Sequence, residues 1–382
     1  MDAQERAFEL IERYDEELRR LLPAGADIFD AHLHLGQDID GMVGDYDQLE
    51  SLMGAYGISR AFMFCLDEPD REPSFTAAND RTLAFAERSG GRLIPFLRLD
   101  LNESPIAEAK RALDLGARGI KLHPRAQKFT ATDERLGPVF ELAAERQVPI
   151  LIHGGRGLPP IAEGLRSLVD RYPGATLIIA HCGIADLAEL ARCMAGRKGV
   201  LFDTSTWSPI DLLDFYRLIP PEQVVYASDY PYGQQPSSLL IALKTARAAG
   251  YADDHIRAML AGTANALADG EELPEPTTPL GSDTLSQPLQ LARIHQYLSM
   301  ATPLLWTRQA DTAGILGLAI NTCGERNGYA SDVDRIRELL VAARDLWATV
   351  PGLEDEAAQR NTTRLTFRLL HIADIEAVTS NS

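Results

Sequence analysis

Five short apolar runs in this chain end on side chains that bind metals or move protons. They read Ile28-Phe-Asp-Ala-His-Leu-His-Leu-Gly, Gly119-Ile-Lys-Leu-His-Pro, Pro149-Ile-Leu-Ile-His-Gly-Gly, Leu177-Ile-Ile-Ala-His-Cys-Gly and Val224-Val-Tyr-Ala-Ser-Asp-Tyr-Pro. The polar residues they deliver are His32 and His34, Lys121 and His123, His153, His181, and Asp229. Imidazole nitrogens with a carboxylate form a donor set suited to a divalent ion such as Zn²⁺. The runs are short and rich in β-branched residues, as buried strands are. Side chains alternate along a strand, so His32 and His34 are expected on one face, with Asp30 beside them to orient an imidazole.

Such residues must be carried to a common place. Strand-like segments at 27–33, 60–66, 93–99, 117–122, 148–153, 176–181, 199–203 and 223–229 alternate with helical patterns at 47–56, 76–88, 104–115, 134–146, 160–172, 184–196, 208–218 and 237–249. Eight strands, each followed by a helix, predict a (β/α)8 TIM barrel, whose chemistry sits at the carboxyl ends of its strands. An open doubly wound sheet is the alternative. It is disfavoured because no Gly-x-Gly-x-x-Gly turn follows the first strand. Asp45 or Asp47 is placed to cap the helix after the first strand, and Gly57 to end it.

The barrel is expected within residues 1–270, preceded by an amphipathic helix over 1–22. Residues 271–283, with Pro274, Pro276 and Pro279, read as a linker, and 284–382 as an all-helical C-terminal domain. Those helices carry no matching chemistry. They are expected to pack on the barrel or to form an oligomer interface, with a lid over the site as the lesser alternative.

Bulk properties narrow the function. The 382 residues carry a net charge of −18, which argues against a nucleic-acid partner and against anionic membranes. The four scattered cysteines form no disulfide framework, and the first 22 residues do not resemble a signal peptide. The expectation is a cytoplasmic protein acting on a small molecule, with no nucleic acid, no membrane, and homo-oligomerisation left open.

Taken together, the words Gly-Ile-Lys-Leu-His-Pro, Ile-His-Gly-Gly, Ala-His-Cys-Gly, Ala-Ser-Asp-Tyr-Pro-Tyr-Gly and Gly262-Thr-Ala-Asn-Ala-Leu resemble the amidohydrolase superfamily. They are most similar to its amidohydrolase-related (amidohydrolase 2) branch of metal-dependent TIM-barrel hydrolases and decarboxylases. The resemblance covers about residues 27–268. It implies a divalent metal, Zn²⁺ first and Mn²⁺ as the alternative, as one or two ions. His32, His34 and His153 would be ligands. Asp229 would touch the metal and take a proton from water. His181 would either contact the water or substrate, or bind a second ion. Lys121 would be a bridging carboxylated lysine in a two-metal centre or a free amine in a one-metal centre; a buried ion pair to Asp229 or Asp203 is the bland alternative.

His123, Arg125, Arg156, Trp207 and Tyr232 lie where the mouth loops would hold a substrate. The expected reaction is hydrolysis of an amide, lactone or ester by a metal-activated water. Decarboxylation of an aromatic or unsaturated acid is the second reading, and a metal-stabilised scaffold the third.

Overall fold

The computed structural model describes residues 2–281, 287–325 and 330–380. Residues 282 and 283 of the expected linker therefore lie outside the described residues.

The strands are β1 (Ile28–Gln37), β2 (Val43–Gly44), β3 (Ile58–Cys65), β4 (Leu93–Arg98), β5 (Gly119–Leu122), β6 (Ile150–Ile152), β7 (Leu177–Ile179), β8 (Val200–Asp203) and β9 (Val224–Val225). They form one curled sheet in the order β2-β1-β3-β4-β5-β6-β7-β8-β9, parallel throughout except for the β1–β2 hairpin. Its two ends meet. Backbone hydrogen bonds run from Ala31 to Tyr226 (2.8 Å), from Asp229 to His32 (2.8 Å) and from His34 to Tyr230 (2.7 Å). The eight parallel strands are thus the expected barrel, and only the short hairpin strand β2 was not anticipated.

Outside the strands run α2 (Tyr46–Tyr56), α3 (Thr76–Arg88), α4 (Pro105–Asp114), α5 (Leu136–Arg146), α6 (Ala162–Arg171), α7 (Leu187–Met194), α8 (Pro209–Leu218) and α9 (Gln235–Ala248), after an N-terminal α1 (Ala3–Leu21). Local signals set their ends. The Asp45 carboxylate accepts from the Gln48 N–H at 2.8 Å, and Gly57 closes α2 in the left-handed conformation at φ 69°. Two short helices, α10 (Asp253–Arg257) and α11 (Thr263–Asp269), finish the barrel.

Strand alternation sorts the core into two layers. Phe29, Ala31, Phe62, Phe64, Phe96, Leu151, Ile178, Leu201 and Val225 belong to the cluster inside the barrel. Ile28, Leu33, Ile120, Ile150, Leu177 and Phe202 belong to the layer between strands and helices. On β1 the parity changes: Phe29 and Ala31 point inward, yet Leu33 and Leu35 point outward. The register against β3 shifts between Asp30 and Leu33, the mark of a bulge. The bulge puts His32 and His34 inside.

The C-terminal helices are α12 (Leu289–Trp306), α13 (Thr312–Cys323), α14 (Ala330–Trp347) and α15 (Glu356–Thr379). They pack on α1, α8 and α9. At the centre of that contact Lys244 of α9 pairs with Glu17 of α1 at 2.8 Å and with buried Glu376 of α15. No helix among the described residues is long and apolar enough to cross a membrane.

The interior layer is tight at Gly119, where an added Cβ would fall 2.5 Å from the Phe96 ring. Gly119→Ala is expected to cost roughly 1–3 kcal/mol in urea unfolding. Gly54→Ala on α2, where nothing stands within 4 Å of the new carbon, should instead stabilise by about 0.5–1 kcal/mol. Equal effects would mean the barrel interior is not packed as described.

Candidate metal centre

The polar residues at the strand ends converge. Nε2 of His32 lies 3.3 Å from Nε2 of His34, and Oδ1 of Asp229 lies 3.2 Å from the first and 3.3 Å from the second. The three atoms form a nearly equilateral triangle. Donors on a tetrahedral ion with bonds of ~2.0–2.1 Å stand about 3.3 Å apart. Spacing, donor chemistry and burial of the two imidazoles therefore all fit a divalent ion held by His32, His34 and Asp229.

Each imidazole is aimed from behind. His32 Nδ1 lies 2.7 Å from Asp203 Oδ2, and His34 Nδ1 lies 3.2 Å from the Cys65 carbonyl oxygen. Acceptors there fix the tautomer with Nε2 facing the triangle. The other oxygen of Asp203 accepts from the backbone N–H of His181 at 2.8 Å and of Ser205 at 3.0 Å. One buried carboxylate thus sets two histidines.

Burial opposes ionisation of Asp203, but the charge and hydrogen bond of His32, with His181 and Ser205, outweigh it and hold the carboxyl near about 2. The same balance holds Asp229 well below the carboxylate range, with His32 and His34 as its partners. Burial lowers His34 to about 3, so this imidazole is neutral and able to ligate.

His153 and His181 make a second pair beside the triangle. Their facing nitrogens, Nδ1 of His153 and Nε2 of His181, are 2.9 Å apart. His181 Nδ1 lies 2.8 Å from the Ser205 carbonyl oxygen, and the His153 ring stacks on His123 with centroids 3.9 Å apart. The third ligand expected from the sequence, His153, contacts His181, whose ring in turn lies beside His32 with centroids 5.1 Å apart.

Two of these residues arrive by a route that alternation does not provide. His181 and Asp229 have left-handed backbones, at φ 57° and 59°. Non-glycine residues in that region cost on the order of 1 kcal/mol or more and persist where their surroundings enforce them. Asp30 does so for Asp229: it accepts from the Ser228 N–H at 2.9 Å, from the Ser228 hydroxyl at 2.6 Å and from the Gln235 amide at 3.1 Å. The expectation that Asp30 orients an imidazole is thereby corrected. The β1 bulge puts it on the opposite face from His32 and His34.

Lys121 is fully buried, with Nζ 3.0 Å from His32 Nε2 and 4.4 Å from the centroid of the Phe64 ring. No ion pair to a carboxylate is present among the described residues, so the alternative of a structural pair with Asp229 or Asp203 is not realised. Burial lowers its amine to about 7.

His32, His34, Lys121, His123, His153, His181 and Asp229 open on one cavity of about 650 Å³, whose wall also includes Arg98, Arg125, Arg156, Trp207 and Tyr232 and the carboxylates of Asp38, Asp40 and Asp67. That size suits a small molecule. Arg156 is exposed and tied to Asp211, Arg125 is exposed, and the Tyr232 hydroxyl donates to Asp38 at 2.9 Å.

Asp203 and Arg98 were not among the sequence candidates. Both close strands that were recognised, Val-Leu-Phe-Asp and Leu-Ile-Pro-Phe-Leu-Arg. Both share the inward parity of Leu201 and Phe96, which was the available signal. Arg98 is buried and its Nε has no hydrogen-bond partner among the described residues.

The chain matches the amidohydrolase family model over residues 29–267. It belongs to that family. Two solved structures of similar fold are a probable 2-pyrone-4,6-dicarboxylic acid hydrolase from Acinetobacter baumannii and the 5-carboxyvanillate decarboxylase LigW from Sphingomonas paucimobilis. The first is 12% identical at TM-score 0.50, the second 14% identical at TM-score 0.50, and each match covers 64% of this chain and 99% of the other. A putative amidohydrolase from Staphylococcus aureus is 15% identical at TM-score 0.50, with 64% of this chain and 99% of that one covered. These likenesses establish the barrel fold. Among curated proteins, the 3'-5' ssDNA/RNA exonuclease TatD of Pantoea sp. (strain At-9b) is 25% identical over 135 residues, 33% of this chain. The match spans about half (49%) of that relative's length.

Asp203→Asn removes the charge that orients His32 while leaving the triangle intact. Zn²⁺ affinity measured against a competing chelator should fall roughly 10–100-fold. Unchanged affinity would mean His32 is not a ligand set by Asp203.

Proposed function

We propose that this amidohydrolase family member is a divalent-metal hydrolase of a small organic acid derivative, an amide, lactone or ester. The observation that carries the reading is the triangle of His32, His34 and Asp229 donors in a cavity whose wall carries both cations (Lys121, Arg98, Arg125, Arg156) and carboxylates (Asp38, Asp40, Asp67). When bound, Zn²⁺ or Mn²⁺ would supply Lewis acidity to a carbonyl oxygen and acidify a water molecule.

The chain's own residues supply the rest. Asp229 is held ionised and can take the water's proton and pass it to the leaving group. His181, with Nδ1 turned to the Ser205 carbonyl, keeps a lone pair on Nε2, which faces His153 Nδ1 at 2.9 Å, and the two imidazoles can share that proton. Lys121 has protons to give. Its amine donates to the carbonyl oxygen as negative charge develops there. Arg98, Arg125 and Arg156 receive a substrate carboxylate, which Arg98 can meet with an unsatisfied N–H. The net charge of −18 speaks against a nucleic-acid substrate, although the curated relative is a nuclease.

The same cations support a second reading. A carboxylate seated against them beside Asp229 could lose CO₂, the carbon left behind taking a proton that Asp229 has accepted from water. Lactones and amides of dicarboxylic acids, screened beside hydroxybenzoates monitored for CO₂ release, separate the two.

Activity is expected to vanish on chelation and to return with Zn²⁺ or Mn²⁺. Asp229→Asn should lower kcat by about 10²–10⁴-fold in metal-reconstituted protein. Turnover that survives both treatments would overturn the reading.

A further inference from the structure

The family match ends at residue 267, yet helices well beyond it return to the mouth of the barrel. Phe367 and His371 lie four residues apart on α15 and stack with centroids 5.5 Å apart. His371 Nε2 donates to the Trp207 carbonyl oxygen at 3.0 Å. Burial keeps this imidazole neutral, near about 4, so it can serve as a donor. The loop after β8 is thus fastened to the C-terminal extension.

Around that bond stands a group of rings. Trp207 lies 6.1 Å from Trp306 at the end of α12 and 5.7 Å from Phe367, and Trp306 lies 4.8 Å from Phe367. With Tyr232, Met42 and Arg364 they enclose a mainly apolar space of about 100 Å³. This space is smaller than the roughly 150 Å³ apolar cavity that holds a benzene ring, so a ring seated there extends beyond it. Trp207 and Tyr232 also wall the metal-site cavity, so the two spaces adjoin.

Rings that served only as packing would be closed off. Trp306 is 37% exposed, and Trp207 and Phe367 are only partly buried. Arg364, on the same face of α15 as Phe367, makes no ion pair or hydrogen bond among the described residues. Three partly exposed rings and an uncommitted guanidinium beside a reaction cavity are the parts of a binding wall.

We propose that the C-terminal helices complete the substrate site: Trp306, Phe367 and Arg364, with Trp207 and Tyr232, form a subsite for a flat aromatic or conjugated group of the molecule whose reacting end meets the metal centre. This rests on the reading of the barrel as a metal-dependent enzyme. The occupant is an unsaturated acid derivative longer than the metal cavity alone would require. Arg364 contacts the ring face or an anionic substituent there.

The test uses full-length protein loaded with Zn²⁺ and isothermal titration calorimetry with two carboxylates, 2-naphthoate and acetate. Wild type should bind 2-naphthoate about tenfold or more tighter than acetate. Trp306→Ala, at a partly exposed position, and the milder Phe367→Leu should each lose most of that advantage. Acetate affinity and zinc content should hold. A wild type without preference for 2-naphthoate, or variants that keep it in full, would overturn the proposal. Zinc content reads the metal centre separately. If no zinc is taken up, the metal reading falls alone, and the comparison of wild type with Trp306→Ala still decides the subsite.

Discussion

His32 is engaged at both ring nitrogens, and the site depends on that. On one side Asp203 fixes the ring's tautomer and direction; on the other Nε2 faces His34, Asp229 and the Lys121 amine within about 3.3 Å. So many ionisable groups in a buried space would oppose folding if each stood alone. They are tolerated because they compensate one another in pairs. Asp203 answers His32 and the His181 backbone, Asp229 answers two imidazoles, and Lys121 rests on a ring face and an imidazole nitrogen. A cation in the triangle would complete that balance.

The backbone bends to make this convergence. A bulge on β1 reverses the parity of the strand so that two histidines enter the barrel. Left-handed residues at His181 and Asp229 turn two more side chains inward from strand ends. Asp30, on the far side of the bulge, holds Ser228 and through it the Asp229 turn. Local strain at the site is thus carried by a buried carboxylate that does no chemistry itself. Charge is placed as well: a chain of net −18 brings Lys121, Arg98, Arg125 and Arg156 to one cavity, where they stand beside Asp38, Asp40, Asp67 and Asp229.

The barrel was legible because apolar runs and helical periods alternate cleanly, and the histidines because each ends a run. The limits are equally specific. Asp203 and Arg98 end runs too, yet Asp203 was read only as an ion-pair partner of Lys121, and an arginine at a strand end drew no notice beside histidine. The role of Asp30 was misread because alternation assumes a regular strand and a bulge leaves no mark in this sequence. The grouping of His153 with His181 is a matter of side-chain distance, which spacing along the chain does not contain. The C-terminal helices gave only amphipathic patterns. That Trp306 and Phe367 meet Trp207 depends on tertiary packing between segments far apart in the chain.

The account stands on the triangle of His32, His34 and Asp229. Elemental mass spectrometry of the protein after reconstitution with Zn²⁺ and removal of excess, reported as ions per chain beside His34→Ala, tests it most directly. The account predicts at least one tightly held ion per chain in wild type and the loss of one ion in the variant. A wild-type protein that retains no metal, or a variant that retains as much as wild type, would contradict it.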